Sequence, residues 1–140
     1  MLQVYTLTAA KSILNRNDII RIEVWANCIW VKLVKGSRFM SKKDFQKFFM
    51  TSRKQRAINL QVAHYGEELF QVSSQSRLEP YLVSADEQPQ CECEDYANQV
   101  KSKQLNHPLC KHAWAMISYL GFNTFSDYLK NEVWKKCEAL

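Results

Sequence analysis

Alternation of apolar and polar residues dominates the first third of the chain, after a short apolar segment. Residues 8–15 place alanine, isoleucine and leucine at helical spacing, with Thr8 as the expected N-cap. Apolar residues then recur at every second position over 19–24 and again over 29–34. This pattern predicts a helix followed by a β-hairpin, which ends at Gly36.

The next segment changes to helical spacing and is strongly basic. Ser41 with Asp44 three residues later resembles a capping box, with aspartate in place of the usual glutamate. We predict an amphipathic helix over 41–50, and residues 51–56 are either its continuation or a basic loop. Three phenylalanines are expected to face the core from this helix: Phe45, Phe48 and Phe49.

The second half of the chain predicts further short strands and two helices. Strands are expected over 58–63, 69–74 and 81–84, and a turn over 86–90. A helix is expected from about Ala113 to Leu120, ending at Gly121, and a last helix after the N-cap Ser126 with Tyr128, Val133 and Trp134 on its apolar side. The predicted fold class is α+β, a small antiparallel sheet with helices.

Charge changes sign along the 140-residue chain, although its net charge is only +5. Residues 32–56 carry nine lysines or arginines against Asp44, whereas 57–99 carry eight acidic residues against Arg77. The change suggests a division into a basic helix and hairpin region, 1–56, and a second region, 57–140, that contains the zinc-binding unit and a C-terminal helix. The alternative is one compact domain overall. A basic block beside an acidic one predicts a molecule with one face that attracts anions.

The second region contains a strong metal-ligand pattern. Cys91 and Cys93 form C-x-C, and Cys110 and His112 form C-x-H sixteen residues later. Three thiolates and one imidazole complete the tetrahedral shell of a structural Zn²⁺ site and leave no open position for water or substrate. The polar residues 94–109 between the two pairs are expected to form a loop. A C-x-C disulfide is the redox alternative.

The cysteine pattern and its surroundings resemble the SWIM zinc finger family. The matching residues are Cys91-Glu92-Cys93-Glu94-Asp95-Tyr96 and Cys110-Lys111-His112-Ala113, with a lead-in of strands near 72–84. The resemblance covers roughly residues 68–121, and it implies a zinc-stapled ββα unit in which the two cysteine-bearing pairs hold one structural Zn²⁺. It also implies a DNA-binding or protein-interaction module.

The basic stretch is the candidate nucleic-acid surface, because lysines and arginines that neutralise phosphates release counterions. The alternative is a solvated helix face. Tryptophans can also stack bases, but we expect Trp25, Trp30, Trp114 and Trp134 to be core residues. The predicted phosphate contacts are Lys35, Arg38, Lys42, Lys43, Lys47, Arg53, Lys54 and Arg56.

The remaining candidates carry structural expectations. His64 is expected at the surface, His107 competes only weakly as a ligand, and Cys28 and Cys137 are read as free thiols, with Cys28 buried. Asp95 is expected to cap the turn after Cys93. No nucleotide-binding loop, hydrolase or deaminase motif is present, so we do not expect an enzyme or a small-molecule substrate.

Hydropathy and the first residues of the chain limit the cellular compartments in which we expect the protein. The chain contains no apolar run of membrane-spanning length and its start does not resemble a signal peptide, so we expect a cytoplasmic or nuclear protein.

The leading hypothesis is a small SWIM-type zinc protein that binds nucleic acid, and DNA is the expected form. The alternative is an adaptor or regulatory subunit that docks onto a larger protein partner.

Overall fold

Two small antiparallel sheets and their flanking helices make up the described part of the chain, and the predicted α+β class is confirmed. The computed structural model describes the backbone of residues 3–138 and the side chains of residues 3–131. The chain divides into two units, Met1–Ser52 and Arg53–Leu140. The division predicted at 56/57 from the change of charge lies four residues further along the same helix.

The first unit contains one sheet and the helices before and after it. Its elements are α1 Leu7–Leu14, β1 Ile19–Val24, β2 Ile29–Leu33, β3 Ser37–Met40 and the beginning of α2, Lys42–Ala57. The N-cap of α1 is Thr6 rather than the predicted Thr8, since the Thr6 hydroxyl accepts a hydrogen bond from the amide of Ala9 at 3.1 Å. At the start of α2, the Ser41 hydroxyl accepts from the amide of Asp44 at 3.1 Å, as the capping pattern predicted. The helix then continues to Ala57, so 51–56 is its continuation.

β2 is the central strand and sets the sidedness of the sheet. Ile29, Val31 and Leu33 are buried, and the residues between them point to the other face. β3 was not predicted, because four residues that follow the turn at Gly36 (φ +81°) show too little alternation to be recognised. Ile20 and Val24 of β1 are exposed, contrary to the half-buried strand that we predicted, and the register of β1 shifts beside Ile20.

The second unit carries four strands in the order β4-β5-β6-β7, followed by three helices. Its elements are β4 Val62–Gly66, β5 Leu69–Val72, β6 Tyr81–Ser84, β7 Gln90–Cys91, α3 Glu94–Ser102, α4 Lys111–Tyr119 and α5 Phe125–Glu138. The first strand begins later than predicted, because α2 extends to Ala57 and the amide of Leu60 bonds back to the Ala57 carbonyl at 3.1 Å. β7 falls partly in the predicted turn.

Two helix predictions in this unit were wrong. Residues 94–109 are not simply a loop, since α3 occupies their first nine residues. The cap of α5 is Thr124 rather than the predicted Ser126: the Thr124 hydroxyl accepts from the amide of Asp127 at 3.1 Å, and Ser126 lies inside the helix. Tyr128 is buried, as predicted, whereas the side chains of Val133, Trp134 and Cys137 lie outside the described residues.

Two phenylalanines of α2 test the packing of the first unit, because one is buried and the other is partly exposed. Phe45 is 0% exposed and meets the Tyr5 ring edge-on, with centroids 5.8 Å apart, whereas Phe48 is 38% exposed. We expect Phe45→Ala to lower the free energy of unfolding by about 3–5 kcal/mol. Phe48→Ala should lower it by about 1 kcal/mol or less. Denaturant titrations of both variants would measure this, and equal losses would contradict the packing described.

Candidate metal centre

The first corner of the site lies where a strand passes directly into a helix. Cys91 ends β7 and pairs with Val83 of β6, and Cys93 is the N-cap of α3, with extended backbone angles of φ −71° and ψ 158°. The Cys93 sulfur accepts the amide of Tyr96 at 3.3 Å. Only Glu92 separates the two thiols. The abrupt change from strand to helix therefore brings both sulfurs to one side of the chain.

The second corner repeats the arrangement at the start of α4. Cys110 is the N-cap, with φ −81° and ψ 171°, and its sulfur accepts the amide of Ala113 at 3.4 Å. His112 is the second residue of the helix. Both Cys93 and Cys110 thus use sulfur where serine or aspartate usually caps. The N-terminal end of a helix favours a thiolate at that position.

The two corners converge on one small volume. One ligand atom from each of Cys91, Cys93, Cys110 and His112 lies within 4.8 Å of every other, and the Cys91 sulfur is 3.8 Å from Nδ1 of His112. Zinc–sulfur bonds of about 2.3 Å and zinc–nitrogen bonds of about 2.0–2.1 Å require tetrahedral ligand atoms about 3.5–3.8 Å apart. All four side chains are buried. These residues are positioned to hold a metal ion.

The three thiols lie in contact with one another and shift each other's pKa values in opposite directions. Contacts with Cys110 and then with Cys91 lower the pKa of Cys93. Contacts with Cys91 and then with Cys93, together with burial, raise the pKa of Cys110. Cys110 lowers the pKa of Cys91, but Cys93 and burial together raise it to about 12. One thiolate therefore forms at the expense of the other two. A divalent ion among the sulfurs would remove this conflict, since a coordinated thiol is deprotonated.

His112 fits the same conclusion. Its Nδ1 is directed to Cys91, while its buried Nε2 has no hydrogen-bond partner among the described residues. The ring packs on Tyr81 at a centroid distance of 4.6 Å, and the guanidinium of Arg77 lies 3.6 Å above the Tyr81 ring. An imidazole that offers Nδ1 to a metal and lies beside an aromatic ring suits this environment.

Gln99 of α3 joins the two corners, and we did not predict this role from the sequence. Its amide donates to the Leu109 carbonyl at 3.0 Å and accepts from the Leu109 amide at 2.9 Å, directly before Cys110. Gln99 is 1% exposed, and glutamine is seldom buried to this extent unless it has such hydrogen-bond partners. Had a helix over 94–102 been predicted, Gln99 would have been a candidate for its inner side.

Asp95 connects Gln99 to Arg53 beside the two corners. It does not cap the turn after Cys93, as we predicted, because the sulfur of Cys93 is itself the cap. Instead its carboxylate accepts from Gln99 at 2.9 Å and from the guanidinium of Arg53 at 3.1 Å. The Arg53 side chain is largely buried. Arg53, a predicted phosphate contact, is therefore occupied in supporting the metal centre.

The other predicted phosphate contacts fall into two groups. Lys35, Arg38, Lys43, Lys47 and Arg56 are exposed. Lys42 and Lys54 have partners within the chain. Lys42 is half-buried and donates to the Ala26 carbonyl at 3.0 Å, whereas Lys54 is exposed, donates to the Asn123 carbonyl and lies 5.6 Å from the centroid of the buried Trp114 ring.

The remaining candidates are placed mostly as expected. His64 is exposed beside Phe70, and His107 packs on Phe125 away from the metal cluster. Cys28 is half-buried rather than buried, and the prediction for Cys137 lies outside the described side chains. In the described part of the chain, Cys91 and Cys93 are free thiols and do not form the C-x-C disulfide.

Trp25 corrects the expectation that the tryptophans are core residues. It is exposed and lies just beyond the end of β1, whereas Trp30 is half-buried and Trp114 is buried. Trp134 lies outside the described side chains.

Comparison with known proteins adds no family to this geometry. No protein-family model, curated protein or solved structure matches the chain. None of the helices in the described residues has the length and apolar character needed to cross a membrane.

Removal of the Gln99 side chain should destabilise the candidate metal centre, although Gln99 is not itself a ligand. We expect Gln99→Ala to lower the free energy of unfolding by about 1–3 kcal/mol for each Leu109 backbone group left buried and unpaired. Metal loss to a competing chelator should be faster, because Cys110 follows Leu109 directly. Gln55→Ala, at an exposed position of α2, is the control. Unchanged stability and an unchanged rate of metal loss would show that Gln99 does not brace the site.

Proposed function

We propose that this chain is a non-catalytic zinc protein of the SWIM type that binds nucleic acid, with DNA as the expected form. The observation that carries the proposal is the convergence of Cys91, Cys93, Cys110 and His112. Their order and spacing are those of the SWIM pattern. The exposed basic residues of the first unit supply the surface for phosphates.

Zinc is the metal that this donor set favours. Thiolate ligands select soft or borderline ions, and a buried set of three sulfurs and one nitrogen is typical of structural zinc. Cys91, Cys93 and Cys110 are free thiols in the structure, which fits a reducing compartment such as the cytosol or nucleus. With four protein ligands the ion has no position left for water or substrate, so its role is to fix β7, α3 and α4 together.

The basic surface supports nucleic acid as the partner. Lys35 and Arg38 flank the turn into β3, and Lys43 and Lys47 lie one helical turn apart on α2. All four are exposed. A surface of this kind binds phosphates electrostatically and without reading sequence.

The zinc assignment predicts a folding transition that depends on metal. Removal of zinc with a chelator should unfold at least residues 85–121, because metal binding is folding free energy in such units. Cys93→Ser should unfold the same segment, whereas Cys28→Ser, at a half-buried cysteine of the first unit, should not. Amide hydrogen exchange, read by segment, distinguishes these outcomes. Unchanged protection over 85–121 after complete metal removal would contradict the assignment.

The phosphate surface predicts a steep dependence on salt. The logarithm of the DNA association constant should fall against the logarithm of salt concentration, with a slope of about −0.9 for each phosphate neutralised. Charge reversal at Lys35, Arg38 or Lys43 should weaken binding to all sequences and reduce the slope by about one. Fluorescence anisotropy measures both.

The matched control is Lys101→Glu, at an exposed position in the second unit. Arg53 is unsuitable for this test because its loss would break the pair with Asp95. No detectable binding at about 50 mM salt, or binding insensitive to salt, would count against the nucleic-acid role.

A protein-docking role is the second candidate, and exposed apolar residues in the acidic segment 57–99 favour it. Leu78 and Tyr65 are both exposed there. Such a surface suits an adaptor or regulatory subunit on a larger partner. Affinity capture with and without nuclease separates the two functions: a stoichiometric protein that survives nuclease supports docking, and loss of every partner supports nucleic-acid binding.

A further inference from the structure

The sheet of the first unit carries aromatic rings on the face opposite its core. Trp30 of β2 lies directly opposite Glu23 of β1 and Phe39 of β3 in the strand register. The neighbouring residues of β2, Ile29 and Val31, are buried on the other face. The residues of one register row share a face, so Trp30 and Phe39 project away from the core.

Trp25 completes an aromatic cluster on this face. Its ring is nearly parallel to that of Trp30, at 9° and 6.3 Å between centroids, and meets Phe39 edge-on at 5.2 Å. Trp25 is 44% exposed and Phe39 is 56% exposed. Exposed rings gain little from packing in the free protein. Their position is nevertheless held by Trp30 beneath them and by a 3.4 Å hydrogen bond from the Trp25 indole to Glu23.

Positive charge surrounds the cluster. The strands and turns over 19–40 carry Arg21, Lys32, Lys35 and Arg38 against the single carboxylate of Glu23. The guanidinium of Arg21 lies 5.6 Å from the centroid of Trp30 and 3.4 Å from Glu23. Lys32 lies opposite Arg21 in the strand register and therefore shares this face, and Lys35 is exposed in the turn before β3. Arg38 lies opposite Val31 and therefore belongs to the other face. The face thus combines rings that can stack with cations that can follow a phosphate backbone.

We propose that this face binds single-stranded nucleic acid, with bases stacked on Trp25 and Phe39 and phosphates held by Arg21, Lys32 and Lys35. The proposal rests on the nucleic-acid function proposed above and names its site and strand form. Bases in a duplex are already stacked on one another and cannot reach the rings, whereas unpaired bases stack on exposed aromatic side chains of a sheet. A surface for duplex phosphates alone would need the cations but not the rings.

The test compares a labelled single strand of about 12 nucleotides with the duplex of the same sequence, using the full zinc-loaded chain. The single strand should bind more tightly and should quench tryptophan fluorescence. Trp25→Ala and Phe39→Ala should each weaken single-strand binding by roughly tenfold and leave duplex binding unchanged. Trp25→Phe should retain most of the affinity because it keeps a ring, while the quenching decreases.

The control is Tyr65→Ala, which removes an equally exposed aromatic ring from the second unit and should bind as the parent chain does. Melting curves show whether each variant is folded, and Trp25→Phe is the second variant if Trp25→Ala is not. Equal or tighter binding of the duplex, with no effect of the ring variants, would overturn this inference and leave nucleic-acid binding intact. Failure to bind either probe would overturn both.

Discussion

Three thiols and an imidazole held within 4.8 Å of one another are the constraint on which the second unit depends. Without a cation, the sulfurs compete for one negative charge, as the opposite pKa shifts of Cys93 and Cys110 show. With one, β7, α3 and α4 are fixed at a common point. The strands that lead into the site are short, and β7 has two residues. Such strands contribute little stability of their own, so a metal bound at this point would take the place of a larger core.

The surroundings of the cluster reinforce the same junction. Both capping cysteines accept backbone amides, so each sulfur is placed by the helix that it begins. Gln99 then ties α3 to the residue before Cys110, and Asp95 ties α3 to Arg53. Each ligand-bearing segment is therefore held by hydrogen bonds of its own. Outer contacts of this kind orient metal ligands and limit their movement when the metal is bound.

Short motifs with a fixed chemistry could be predicted from the sequence, whereas contacts between distant residues could not. The Ser41 cap and the alternation in β2 follow from local spacing, and the convergence of Cys91 with Cys110 follows from the ligand chemistry of their two motifs. Helix α3 was not predicted because its residues are mostly polar, and its one buried residue, Gln99, is itself polar. The exposed Trp25 was expected in the core, since its surroundings depend on Trp30 and Phe39 in other strands. Family membership, the metal's identity and the nucleic-acid role stay predictions.

X-ray absorption at the zinc edge, together with elemental analysis of the purified chain, tests the central claim most directly. The account predicts one zinc ion per chain, with three sulfur ligands at about 2.3 Å and one nitrogen ligand at about 2.0–2.1 Å. A folded protein that contains no metal would contradict it. So would a shell in which an oxygen replaces His112 or one of the cysteines, because an exchangeable ligand would leave room for chemistry at the ion.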